Sequence, residues 1–243
     1  MKKPVKILCI AGGVLAAAGA AVVAFAPGLF TYLNVLRKYP NIIKTIPVFQ
    51  KYSVPQNYVQ YTVKGLTMSV PAEYTLKDSG LVFIGADGKT SVLVTRHDET
   101  LLAQYVNPWD SQKYTEADYK SYFRAVGAPF PKTADARTEL LWYCKGTLMP
   151  EDCLKLRGMN RKVFKELAET KNSAWEMEDA WELPVNGAKA YVSCGKTDIV
   201  TSVGNWTLTV YPDDSRSDKI FVVFRTDDTT AKQIISSVQI SAE

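Results

Sequence analysis

The chain has 243 residues with 29 basic and 25 acidic side chains, a formal charge of +4, and a single histidine. Its length supports a sizeable core, and its one histidine, His97, leaves histidine-based catalysis a single candidate. Seven of the cations (Lys2, Lys3, Lys6, Arg37, Lys38, Lys44 and Lys51) fall in the first 51 positions, before Glu73, the first acid; residues 52–243 then hold 22 basic against 25 acidic side chains, a balance of −3. A mildly acidic domain lacks the cation surplus that phosphate neutralisation requires, so nucleic acid is not an expected partner.

Residues 1–6 form a short basic end, and residues 7–30, ILCIAGGVLAAAGAAVVAFAPGLF, contain no charge. A run of about 20 such residues is long enough to cross the bilayer core as a helix, and this one is apolar on every side, unlike the helix of a soluble core. Ala24-Phe25-Ala26 offers a small-x-small cleavage exit, but Pro27 follows it directly. The other exit, Ala18-Gly19-Ala20, would leave an apolar stub. Cys9 has no lipoprotein context, since Lys6 and Leu8 stand where aliphatic and small residues belong. The expectation is a retained signal anchor in the lipid bilayer through residues 7–30, with a cleaved, secreted form as the alternative. The basic amino-terminal end favours N-inside only narrowly over Arg37, Lys38 and Lys44, and a long carboxy-terminal domain translocates regardless of that margin.

Residues 31–57 carry three prolines and no acid, and read as a helical exit followed by a basic, extended tether. Residues 58–243 read as one extracytoplasmic α+β domain. Alternation marks strands at Tyr58–Val63 and Leu66–Val70, the latter ended by Pro71. Leu81–Ile84 and Thr90–Thr95 flank the hairpin glycines Gly85 and Gly88. Thr115 and Asp118 form a capping box ahead of Tyr119, Tyr122, Phe123 and Val126 at helical spacing, and Gly127 stops that helix. A second helix is expected over 134–145. A short third begins at Pro150 and closes at Gly158, and a fourth is capped by Asn160 with Val163, Phe164 and Leu167 facing inward. Trp175, Met177, Asp179 and Trp181 then alternate with Glu176, Glu178, Ala180 and Glu182, as in a half-solvated strand. Asn186-Gly187 turns the chain into Ala188–Ser193. Val200–Tyr211 and Lys219–Arg225 form a last hairpin, and Thr226 caps a helix over 230–237. The order strands, helices, strands, helix implies a largely antiparallel sheet packed with helices.

The opening YTVKGLTMSVPAEYTL and the closing NWTLTVYPDDSRSDKIFVVFRTDDTTAKQIISSVQI resemble the two ends of PsbP-like domains. The resemblance covers about a third of the chain and implies an αβα sandwich, an antiparallel sheet between helices. Many bacterial members are secreted or lipid-anchored. The helical middle, about residues 110–172, exceeds what that fold needs. The family's activities are too diverse for a functional residue to carry over.

His97 stands at a strand end beside Asp98. Strand neighbours point to opposite faces, so Asp98 would not orient that imidazole. His97 stays a weak candidate functional residue, with a solvated surface histidine as the default. No G-x-S-x-G elbow exists. Gly88-Lys89-Thr90 and Gly195-Lys196-Thr197 end like phosphate-binding loops, but Phe83 and Ala190 occupy the positions where the earlier glycine belongs, so no nucleotide is expected. Cys144, Cys153 and Cys194 lack a C-x-x-C pair, so zinc is not expected either. In an oxidising compartment Cys144–Cys153 is the candidate disulfide; pairings with Cys194, and three buried thiols, stay open. Asp213, Asp214, Ser215, Ser217 and Asp218 suit a polar hairpin tip better than a calcium loop, having no EF-hand glycine or final glutamate. Strand pleating separates Glu176, Glu178 and Glu182 from the tryptophans, against a glycosidase cleft. Asn205-Trp206-Thr207 is a chance sequon inside a strand. No cofactor fingerprint is present. The expected function is thus a membrane-anchored, non-catalytic binding or accessory domain with a protein or envelope partner. The alternatives are an envelope hydrolase using Asp and Glu, and a structural subunit self-associating through Gly12 and Ala16.

Overall fold

The computed structural model describes residues 28–77, 80–97, 112–131, 136–196, 204–212 and 218–241. They divide into two compact units. Residues 28–44, 112–131 and 140–173 form a helical unit, and residues 45–97, 136–139 and 174–241 form a sheet unit. Both the expected tether and the expected domain over 58–243 are therefore shared between units. Most of the expected membrane segment, residues 7–27, lies outside the described residues. Among the described residues no helix is long and apolar enough to cross a membrane.

The sheet unit is α+β, and its strand pairs are antiparallel. Seven strands run in the order β3 (Thr75–Lys77), β4 (Val82–Ile84), β5 (Ser91–His97), β9 (Lys219–Thr226), β8 (Gly204–Tyr211), β7 (Ala188–Gly195) and β6 (Glu178–Val185). A three-stranded sheet orders β1 (Tyr58–Val63), β2 (Leu66–Pro71) and β10 (Gln239–Ile240). One helix, Asp228–Ser236, packs against β2, β8 and β9. Its Ala231, Ile234 and Ile235 are buried in a core with Leu66, Met68, Val92, Leu208, Val222 and Phe224. Alternation in β9 produces that core directly: Ile220, Val222 and Phe224 face inward and are fully buried. At the outer edge the tether joins the sheet. Val48 makes a parallel bridge with Glu182, whose backbone N–H donates to Pro47 and whose carbonyl accepts from Phe49, each at 2.8 Å. A row of backbone groups at an edge strand is thereby partly covered.

In the helical unit, α1 (Leu29–Lys38) leads into a 3-10 turn, Pro40–Ile43. The helix α2 (Glu116–Val126) opens on the expected capping box, with Thr115 Oγ1 accepting from the Asp118 N–H, and stops at Gly127 in the left-handed region (φ 73°). The helices α3 (Ala136–Gly146) and α4 (Gly158–Met177), whose residues 136–139 and 174–177 belong to the sheet unit, flank a 3-10 turn, Pro150–Lys155. The helix of the sheet unit is α5.

Several expectations need correction. Gly158 opens α4 instead of closing the turn before it. Its positive φ (54°) redirects the chain, and the Arg161 guanidinium donates to the Leu156 carbonyl at 3.0 and 3.2 Å. The strand expected from Trp175 begins only at Glu178. Val163, Leu167, Ala174 and Trp175 continue one buried helical stripe, so Trp175 is interior to a helix, and the period-2 reading of 175–177 yields to the 3.6-residue one. Asp227, not Thr226, caps α5, its side chain accepting from the Thr230 N–H. The short strands β3 and β10 carry too few residues to show alternation. The Val200–Val203 start of the last hairpin and its tip, residues 213–217, lie outside the described residues.

Candidate functional site: an aromatic cleft in the sheet unit

Three neighbouring strands set the site. In the ladder Asp179 pairs with Cys194 and Cys194 with Trp206, while Trp181 pairs with Val192 and Val192 with Leu208, so paired side chains share a sheet face. Trp181 and Trp206 reach each other across the strand between them and stack at 5.4 Å with an interplanar angle of 23°. Phe49, brought in by the tether's bridge to Glu182, stands edge-on to both indoles at 6.3 and 6.5 Å. It is 5% exposed, so the tether contributes a core residue at this point.

Helix α5 supplies the polar side. The Trp206 Nε1–H donates to Asp228 Oδ1 at 2.9 Å and fixes that indole. One turn later Lys232 places its ammonium 5.3 Å from the Trp206 ring centroid and 5.6 Å from that of Tyr52, 3.9 Å from Asp228 Oδ2. Cation–π contacts of this kind hold an ammonium over a ring without burying it. The Tyr52 N–H donates to Ser236 Oγ at 2.8 Å, and Ser236 donates in turn to the Lys232 carbonyl at 2.6 Å, tying the tether to α5. The result is a cleft of about 420 Å³ lined by residues 47–50, Tyr52, Trp181, Trp206, Asp228 and Lys232. Its floor is aromatic, and one ammonium and one carboxylate sit at its side. Polar and apolar groups share the lining about equally, so the cleft has the size of a small-ligand site with a mixed lining. Among the described residues that line it, no nucleophile stands beside a base.

The residues singled out from sequence lie elsewhere. His97 ends β5, half-buried, opposite Lys219, with Nε2 3.2 Å from Thr95 Oγ1; Asp98 lies outside the described residues. Cys144, Cys153 and Cys194 are free thiols. Burial pushes Cys144 up to about 12 and Cys153 to about 11, and burial with the nearby Asp228 and Asp179 carboxylates raises Cys194 to about 11. Thiols held protonated in this way are poor nucleophiles. Among the described residues no group of three His, Cys, Asp or Glu side chains could hold a metal ion.

The helical unit holds a second concentration of titratable groups, all interior. Lys171 is fully buried and donates to the Leu148 carbonyl at 2.6 Å. Burial lowers it to about 8, against the pull of Cys144 and Asp152. Burial also raises Asp152, opposed by a hydrogen bond from the Met149 N–H. The Tyr119 hydroxyl donates to Glu166 at 3.0 Å, and Tyr122 and Tyr143 share a hydrogen bond of 3.0 Å. Burial is the leading cause that raises all three phenols well above the ordinary range. Tyr119 pairs with Glu166 and Tyr122 with Tyr143, Lys171 and Asp152 are met by backbone groups, and Glu166 Oε2 is left buried without a hydrogen bond.

Sequence reasoning separated the tryptophans from the strand glutamates and did not bring Trp181 and Trp206 together with Phe49 and Lys232. Two signals were available. Val48 and Phe49 are apolar residues inside a segment read as tether, and Asp228 and Lys232 stand at i, i+4 on the amphipathic helix that follows the last hairpin. No family model matches the sequence, and no curated protein matches it.

Proposed function

We propose that the chain is a membrane-anchored accessory domain, displayed outside the cytoplasm, that binds an envelope ligand in the aromatic cleft without transforming it. Partly exposed Trp181, backed by the buried Trp206 that it stacks on, together with the Lys232 ammonium beside Trp206, carries this reading. The accessible part of Trp181 takes a flat apolar face, and the Lys232 ammonium, held 5.3 Å from the buried Trp206 ring, takes an anionic group. The anchor half of the proposal rests on the uncharged run 7–30 and the cations that flank it. A PsbP-like αβα layering belongs to the same proposal, supported by the β8–β9 hairpin followed by α5.

The test uses the full chain in nanodiscs of zwitterionic lipid and naphthalene-2-sulfonate, an aromatic anion, as the probe. Calorimetry against empty nanodiscs should find saturable binding. Lys232→Ala should weaken it by roughly fivefold, the loss of one partly desolvated charge contact, and Trp181→Ala by more. Binding that neither substitution changes would remove the cleft from the account. A reporter active only outside the cytoplasm, fused after Glu243, should be active; an inactive fusion in a stably expressed chain would contradict the topology.

A further inference from the structure

We infer that the outer face of α1 and the 3-10 turn after it form a lipid-contact surface that holds the helical unit against an anionic bilayer; the inference rests on the membrane-anchored reading. Helix α1 has two unlike sides. Thr31 and Val35 are buried, whereas Phe30 is 75% and Leu33 55% exposed, with Arg37 completing their stripe at i, i+3 and i+7. Just beyond, Ile43, the last residue of the turn, is 62% exposed beside Lys44. Adjoining exposed apolar side chains mark contact surfaces, and Phe30 and Leu33 adjoin at i, i+3 on this helix. The cations Arg37, Lys38 and Lys44 border them, and no acid occurs in residues 1–72. An apolar row bordered by cations fits the boundary between acyl chains and anionic headgroups. The sequence is uncharged from residue 7 through Leu36, so the chain leaves the expected span directly into this face.

The face is rigidly mounted. The Gly28 N–H donates to the Leu154 carbonyl at 2.9 Å, and the Cys153 thiol donates to the Gly28 carbonyl at 3.6 Å. A Cβ at Gly28 would stand 1.7 Å from the Cys153 carbonyl oxygen, so only glycine permits this approach. At the other end the Tyr39 hydroxyl donates to Glu169 at 3.2 Å, and the Asn41 N–H donates to Asn172 Oδ1 at 3.1 Å. Glu169 is thereby tied to Tyr39, and Lys38 lies 4.9 Å from the centroid of the Tyr39 ring. A helix clasped at both ends presents a fixed side, so bilayer contact would orient the whole helical unit.

The test places a sixth tryptophan at the face, Leu33→Trp, in the full chain reconstituted into phosphatidylcholine–phosphatidylglycerol vesicles with brominated acyl chains. The added indole should be strongly quenched relative to the parent's emission. Replacing Arg37, Lys38 and Lys44 together by glutamate should cut that quenching by more than half, each cation contributing roughly fivefold to the contact equilibrium. Circular dichroism identical to the parent's establishes that the variants fold. A chain that floats with the vesicles while the Leu33→Trp indole stays unquenched overturns this face and leaves the anchor standing. A chain that does not float at all overturns both.

Discussion

The two units fill their interiors with different chemistry. The sheet unit closes on aliphatic and aromatic side chains delivered by strand alternation, with Leu66, Met68, Phe83, Leu208 and Phe224 fully buried. The helical unit buries Lys145, Lys171, Cys144, Cys153, Tyr119 and Tyr122 completely. A dry core is stabilised in proportion to apolar area, and between pH 7 and pH 9 its stability hardly depends on pH, Cys194 adding stability that is lost only above pH 9. A core with a buried lysine and buried thiols is stable only where those groups sit in their uncharged or satisfied forms. The units therefore differ in what disturbs them, and unit-resolved hydrogen exchange can measure each separately.

The largest effect should come from the sheet core. Phe224→Ala empties a fully buried site on the central strand β9 and should destabilise the sheet unit by about 3–5 kcal/mol. A loss spread equally to peptides 112–131 and 144–172 would erase the distinction between the units. Next, Gly28→Ala sets a methyl against the Cys153 carbonyl and should cost the helical unit about 2 kcal/mol, while exchange in 178–195 stays unchanged.

The pH response sharpens the contrast further. Folding lowers Lys171 from 10.5 to about 8, so above pH 8 the unfolded chain binds more protons than the folded one, and stability rises with pH. The cost of burying that charge is fully present below about 8 and relieved through the interval up to 10.5. Cys144 and Cys153 act oppositely. Raised from 9.0 to about 12 and 11, they contribute stability that is lost as pH climbs past 9. The helical unit should thus gain about 1 kcal/mol between pH 7 and pH 9, then lose the gain above pH 9. Lys171→Met should abolish the rise, and the sheet unit should show none. A rise that survives the substitution would assign it to another group. The smallest effects are at helix caps. Asp227→Ala should cost the sheet unit about 1 kcal/mol, and Thr115→Ala the helical unit somewhat less, each read as faster exchange within one helix.

How much of this was legible from sequence follows the same division. Alternation in β1 and β2, the Asn186-Gly187 turn and the Thr115 capping box are local signals, and each produced the element it announced. Helix α4 was legible at Val163, Phe164 and Leu167 but not at its end. Trp175–Met177 fits both periods, and only burial of Trp175 on the stripe of Leu167 decides for the helix. The cleft was not legible. It gathers Phe49 from the tether, Trp181 and Trp206 from strands separated by β7, and Lys232 from a terminal helix. No spacing rule joins positions so far apart in the chain. The tether itself misled, because an acid-free, proline-bearing stretch reads as a linker, whereas Val48 bridges Glu182 and Phe49 enters the core. His97 drew notice for being unique, and uniqueness in a sequence is no measure of surroundings.

We propose that the sheet unit receives a ligand while the helical unit meets lipid. Hydrogen exchange on the full chain in nanodiscs, with and without naphthalene-2-sulfonate and with zwitterionic or anionic lipid, tests both halves in one experiment. The probe should slow exchange in 47–52, 178–183 and 228–236 whatever the lipid, and anionic lipid should slow it in 29–44 whatever the probe. Protection by the probe outside the cleft segments, or by anionic lipid in 178–183 and not in 29–44, would contradict the assignment of these two surfaces.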